Sequence, residues 1–160
     1  MNNSIKISNG ICLVQNQLGI RQLLQARNWM GIINVNDLIY DNIPYSPRDM
    51  IEFNKIPIFK NVRRIFIRDC NPLFTKYAVS TYFHKHLEEV WFDRYFPDQT
   101  MIYNLAIHGD KPNIYMTDDI NKNEIKNEFM QLFENQITEI SITDFNTVIN
   151  DLKNLVERDY

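Results

Sequence analysis

Glycine is scarce in this chain of 160 residues, with four in all and no two close together. Backbone N–H groups reach a phosphate where closely spaced glycines let the chain approach it, so neither a P-loop nor a dinucleotide-binding fingerprint is present. Cysteine is scarcer still. Cys12 and Cys70 stand far apart, with no CxxC and no nearby histidine pair, which argues against a zinc site and a disulfide scaffold and fits a reduced, cytoplasmic setting. No apolar run approaches the roughly 20 residues that span a bilayer, and MNNSIKIS has neither a charged leader nor an apolar core, so neither secretion nor membrane insertion is expected. Charge of one sign is lacking too: the formal charge of −3 supplies no global attraction for nucleic acid or an anionic membrane, and any such contact needs a local basic patch. No serine or cysteine lies in a nucleophile-elbow context, which disfavours Ser-His-Asp and Cys-His chemistry.

What the chain does have is apolar and aromatic weight: 44% hydrophobic residues, with ten Phe, eight Tyr and two Trp, enough to bury a core without metals or disulfides. SIKISNGICLVQ alternates apolar and polar residues around Asn9-Gly10, which predicts a hairpin with strands near 4–8 and 11–15. LGIRQLLQARNW has helical spacing, with Gly31 as its stop. INVNDLIYDNI is Asn- and Asp-rich with intermittent apolar residues. Ser46-Pro47 opens a brief helix through Asn54, and Pro57 separates it from the strand pattern VRRIFIRD. There Ile65 and Ile67 share one face, and Arg64, Phe66 and Arg68 the other. Asn71-Pro72 starts a helix with Leu73, Phe74, Tyr77 and Ala78 inside. Leu87, Val90 and Trp91 continue a helical pattern to Phe96. TMIYNLAI and NIYMTD read as strands around the turn HGDKPN, a helix carries Ile125, Phe129, Leu132 and Phe133, and ITEISI reads as a last strand. Thr143 or Asp144 caps a final helix bearing Phe145, Val148, Ile149, Leu152 and Val156. With no low-complexity linker and no internal repeat in view, the expectation is one domain over 1–160. Its predicted class is α+β, with a mixed, mostly antiparallel sheet and short flanking helices.

Two clusters invite chemistry. YFHKHLEEVWFDRYF holds His84, His86, Glu88, Glu89 and Asp93, but on a helix two histidines two positions apart diverge, and His84 with Glu88 alone makes no metal site, so a solvated helix face is the reading. Lys60, Arg63, Arg64 and Arg68, with Phe66, Tyr77 and Tyr82 nearby, form the one basic cluster. It fits a phosphate-bearing ligand or single-stranded nucleic acid, and fits better an exposed strand face of snorkelling arginines.

The order of pieces around VRRIFIRDCNPLFTKYA resembles the DarT-type ADP-ribosyltransferases, which use NAD to modify bases in single-stranded DNA. LVQNQLGIRQLL resembles the family's first strand and helix, DNIPYSPRDMIEFNKIP its arginine segment, and IFIRDCNPLFTKYAV its aromatic strand and turn, with Asn71-Pro72-Leu73 where Ser-Pro-Met is usual. MIYNLAI and NIYMTDD resemble the next strands, and QITEISI the strand that bears the catalytic glutamate. The family's early His-x-Thr would fall at Leu13-Val14-Gln15. The resemblance implies Arg48 and Glu139 as catalytic residues, Gln15, Asn16 and Arg48 as contacts to NAD, and Arg64 and Arg68 as contacts to nucleic acid. A rival alignment puts the glutamate at Glu89, at the cost of two core strands. Such an enzyme would serve as a toxin or phage-defence component. A carboxylate aimed at the ribose would stabilise its oxocarbenium-like transition state, and an arginine would hold the pyrophosphate. Without that chemistry, Glu139 is the polar-face residue of an alternating strand and Arg48 caps or salt-bridges the helix from Pro47 to Asn54. The alternative function is then a non-catalytic inhibitor or immunity-type protein that binds and blocks a protein partner.

Overall fold

The computed structural model describes residues 4–25, 34–49, 61–75, 78, 87–96, 112–121, 123 and 125–159. Its frame is one sheet of seven strands in sequence order: β1 (Ile5–Ser8), β2 (Ile11–Gln15), β3 (Asp37–Asp41), β4 (Arg64–Arg68), β5 (Glu89–Phe92), β6 (Asn113–Thr117) and β7 (Ile137–Ile140). The first pair is the expected hairpin, turned by Asn9 (φ 55°) and Gly10 (φ 75°), and it is antiparallel. Every later neighbour is parallel. The sheet is mixed and flanked by helices, as the α+β reading expects, but its balance is the reverse of mostly antiparallel. The reason lies in the strands' own residues. Cys12-Leu13-Val14, Leu38-Ile39-Tyr40 and Ile65-Phe66-Ile67 are continuous buried runs, the pattern of strands covered on both faces, and parallel neighbours need long crossovers such as these.

The parallel strands recur at a period that the sequence reading missed. Partners across successive pairs are Ile11, Asp37, Arg64, Glu89 and Asn113, and then Ile114 with Ile137, so each coil advances the chain by about 23–27 residues. Each coil repeats the same apolar spacing. Val35, Leu38, Tyr40 and Ile43 are matched by Val62, Ile65, Ile67 and Cys70, and then by Leu87, Val90 and Phe92, all buried. This spacing resembles that of leucine-rich repeats, in which no single coil buries its own apolar face and stacked neighbours supply the core. Backbone hydrogen bonds repeat as well: Gly10, Asn36 and Arg63 each accept, through one carbonyl, two N–H groups of the next coil. The expectation of no internal repeat is therefore corrected. Lateral packing preserves the repeat while surface positions vary freely, so side-chain identity hides it.

The described parts of the connecting segments pack on one face of the sheet. α1 (Asn16–Gln25) buries Gly19, Ile20 and Leu23 there. A Cβ on Gly19 would lie 2.6 Å from the Ser4 carbonyl, so only glycine lets α1 approach the hairpin so closely. Asn71 opens the helical turn at 72–75, where its Oδ1 accepts the Leu73 N–H, and Phe74 packs edge-on to Tyr40. Leu73, expected inside, is exposed. α2 (Asn127–Leu132) adds Phe129, stacked on Phe133. The segment LEEVWF, read as a helical continuation, is β5: its alternation of buried Val90 and Phe92 with half-buried Trp91 wins over an i,i+3 coincidence. β3, unassigned from its Asn- and Asp-rich sequence, is the third rung. The predicted strand TMIYNLAI, His84, His86 and His108 lie outside the described residues.

α3 (Ile142–Glu157) covers the other face. Its N-cap is Ser141, whose side chain accepts the Asp144 N–H, rather than Thr143 or Asp144. Phe145, Ile149 and Val156 bury against Ile11, Leu13, Ile39 and Phe66. At 1.5 Å per residue, its 16 residues span about 24 Å, close to the width of the sheet. No helix among the described residues is long and apolar enough to cross a membrane.

Candidate functional site

Solenoid sheets bind partners on the face turned away from their crossovers. Here that outer face carries two charged rungs built from strand alternation. Arg64 donates Nε and Nη2 to Asp37 at 2.7 and 3.0 Å, and Arg68 donates Nε and Nη2 to Asp41 at 3.0 and 2.8 Å, each pair bridging adjacent strands. α3 completes the second rung. Asn150 Oδ1 accepts from Arg68 Nη1 at 3.0 Å, and Lys153 Nζ donates to Asp41 Oδ2 at 3.2 Å. Burial would raise the Asp41 carboxyl, but hydrogen bonds and charge from Arg68, with Lys153, outweigh it and hold its pKa below the ordinary value. The Asp41 bonds hold Arg68 still more firmly protonated, against the effect of its own burial.

Beyond the C-terminal ends of β3–β6, the first turn of α3 closes a polar cavity of about 420 Å³. Asp41, Arg68, Asp69 and Asp93 form one side of it, with Arg94, Asp119, Ile142 and Asn146 around them. Arg94 pairs with Asp69 at 2.7 Å, and Asp93 accepts the Asp69 N–H at 2.9 Å. Burial pushes the Asp93 carboxyl up to about 6, against the Asp69 hydrogen bond and the Arg94 charge, with Asp119 and Asp69 adding repulsion. Thr117 donates its hydroxyl to Asp119. The middle row of the outer face is aromatic, between the charged rows at its two ends. Phe66, Trp91 and Tyr115 are direct neighbours on β4, β5 and β6, with Trp91 stacked on Tyr115 at 4.0 Å and Trp91 Nε1 bound to Glu89 at 2.7 Å.

The residues singled out in the sequence fall in separate places. Arg48 is exposed on the helical turn 47–49 beyond β3. Glu139 is exposed on β7 in register with Met116, hence on the inner face, opposite Arg64 and Arg68. β3 and β7 are four strand spacings apart, about 19 Å, and neither Arg48 nor Glu139 lines the cavity. Gln15 ends β2 half-buried, and Asn16 starts α1 with φ 51°. Glu89, the rival glutamate, accepts the Trp91 N–H. Arg64 and Arg68 share the face expected of them, but each is engaged by a carboxylate, so the strand is not a bare basic stripe. Cys12 and Cys70 are free thiols; burial pushes Cys12 up to about 12 and raises Cys70 too, which removes both as nucleophiles at neutral pH. Among the described residues, no group of three His, Cys, Asp or Glu is placed to hold a metal.

Sequence reasoning missed the row that joins Trp91 and Tyr115 and the cavity that Asp93 and Asp119 line. The signal for the row is columnar: once the strands are set at the coil period, Phe66, Trp91 and Tyr115 fall in line. No family model, no curated protein and no solved structure matches this chain.

Proposed function

We propose that the protein is a non-catalytic binding module that engages and blocks a protein partner through the outer face of its sheet. One observation carries this reading: the chain builds a largely parallel repeat sheet whose aromatic outer row, Phe66–Trp91–Tyr115, is half-buried rather than covered at Trp91 and Tyr115. Repeat sheets of this kind present extended recognition surfaces, and Trp, Tyr and Arg are the side chains that dominate binding energy. A transferase would need its carboxylate and arginine to face one sugar and pyrophosphate, and neither Arg48 nor Glu139 lines the polar cavity. The experiment runs both readings side by side. The purified chain is used as bait for stoichiometric capture, and separately incubated with labelled NAD and single-stranded DNA, RNA or protein extract, next to Glu139→Gln. A single partner at 1:1, no transferred label and no NAD-induced rise in Tm are expected. Label transfer that Glu139→Gln abolishes would restore the ADP-ribosyltransferase and overturn the binding reading.

A further inference from the structure

α3 carries three parallel strips at i, i+4, i+7, i+11, the spacing that puts side chains in line along one side of a helix. Phe145, Ile149, Leu152 and Val156 form the strip that packs on the sheet. Asn146, Asn150, Lys153 and Glu157 form a second, bonded to Arg68 and Asp41 on the side of the strands' C-terminal ends and, at its last residue, to Lys6 on β1. The third strip, Asp144, Val148, Asp151 and Leu155, therefore faces the N-terminal halves of the strands, and Val148 packs in the same cluster as Trp91. Asp144 and Asp151 are exposed, and Leu155 is one of the few large apolar side chains left 40% exposed.

Beside this strip, the outward side chains of β3–β6 from their first to their middle residues are left bare by every described element, and a helix standing on a sheet leaves a groove along its flank. Half-buried Trp91 and Tyr115 line its sheet side, bordered by Asp37, Arg64 and Glu89, with the Arg64 guanidinium 5.3 Å from the centre of the Phe66 ring. Among the described residues its walls combine apolar surface with the carboxylates of Asp144, Asp151 and Glu89, beside an Asp37–Arg64 pair that is already closed on itself. We infer that this groove is the docking site for a basic amphipathic helix of a partner protein, lying beside α3, an assignment that rests on the binding-module reading. The apolar stripe of such a helix meets Val148, Leu155, Trp91 and Tyr115. Its lysines and arginines meet Asp144 and Asp151 on one flank and Glu89 on the other, within reach of the faces and edges of the two rings. A second copy of this chain is a poor occupant, because the corresponding strip of its own α3 brings Asp144 and Asp151 into an acidic groove.

The test uses the full chain and three labelled synthetic 16-residue peptides: one with leucines at i, i+3, i+4, i+7 and i+11 and lysines flanking them, its glutamate twin, and a scramble of the first. The lysine helix binds in the micromolar range, and the twin and scramble bind about 10-fold or more weaker. Tyr115→Ala and Leu155→Ala each weaken binding about 5-fold or more with an unchanged circular dichroism spectrum, because both side chains reach the surface. Asp151→Lys weakens the lysine helix and strengthens its glutamate twin. The groove assignment is overturned if the scramble binds as well as the lysine helix, if none of the three substitutions changes its affinity, if the lysine helix does not bind, or if light scattering finds a dimer that Leu155→Asp dissolves. Stoichiometric capture of a partner that is indifferent to Tyr115→Ala and Asp151→Lys keeps the binding-module reading and sinks the groove alone.

Discussion

Two ion pairs of similar geometry differ in what their loss costs. Arg68 and Asp41 are 16% and 12% exposed at their side chains, whereas Arg94 and Asp69 are 53% and 43% exposed. Truncating Arg68 leaves Asp41 with Lys153 alone in a largely desolvated position, so Arg68→Met costs about 2–3 kcal/mol in urea unfolding, while Asp69→Asn, which removes the charge and suits the same backbone turn, costs under about 1 kcal/mol. Equal losses would contradict the burial difference. Asp41 and Asp93 also titrate in opposite senses. Asp41, with its pKa lowered on folding, contributes stability at neutral pH that is lost as pH falls below the ordinary carboxylate value of 3.8. Asp93, raised to about 6 in the folded protein, binds its proton more tightly there than in the unfolded chain. Its contribution is fully present below 3.8 and is lost as pH rises from there to about 6. Asp93→Asn, which keeps an acceptor for the Asp69 N–H, should flatten the fall in Tm between pH 4 and about 6.5 and raise Tm at pH 7. An unchanged slope would assign the titration to another group.

At the scale of the coil, one backbone feature recurs just past the strand end: Asn16, Asn42, Asp69 and Arg94 hold φ of 51°, 57°, 54° and 63°. Asn and Asp tolerate this left-handed turn, but arginine pays for it by about 1 kcal/mol. Arg94→Asn should therefore raise stability by about 0.5 kcal/mol in spite of the lost exposed pair with Asp69, and a loss above about 1 kcal/mol would show that the pair outweighs the strain. The same column explains what was legible. The Asn9-Gly10 hairpin, the alternation in VRRIFIRD, NIYMTD and ITEISI, and the stripe of the last helix are local patterns, readable because each is set by neighbours a few residues away. β3 and β5 were not, since the residues that fix them lie a whole coil away: Asp37 and Asp41 read as loop until Arg64 and Arg68 are beside them. Parallel pairing has the same cause. Nothing local distinguishes it from antiparallel pairing except the unbroken apolar runs. The groove was less legible still, because α3 reaches Trp91 and Tyr115 only once the whole sheet is assembled beneath it.

The molecule as a whole departs from a simple stack of coils through α3. In a solenoid each coil touches only its neighbours, so a lesion at one end frays that end. α3 leaves β7 at Ser141 and returns to the first hairpin: Asn9 donates to the Leu155 carbonyl and to Asp159, Ser8 bonds Asp159, and Lys6 pairs with Glu157. The last strand is thereby tied to the first across the outer face, and loosening either end must be felt at the other. Phe145, fully buried near the start of α3, is the position where this is testable. Phe145→Ala should cost about 3–5 kcal/mol, the range for a buried phenylalanine. In native-state hydrogen exchange, protection should fall together in α3, in β7 and at the hairpin amide of Gln15, which donates to the Ser4 carbonyl at 2.7 Å. Loss confined to α3 and β7, with Gln15 protected as before, would mean that the helix lies on the sheet without coupling its ends, and the coils would then unfold as independent neighbours.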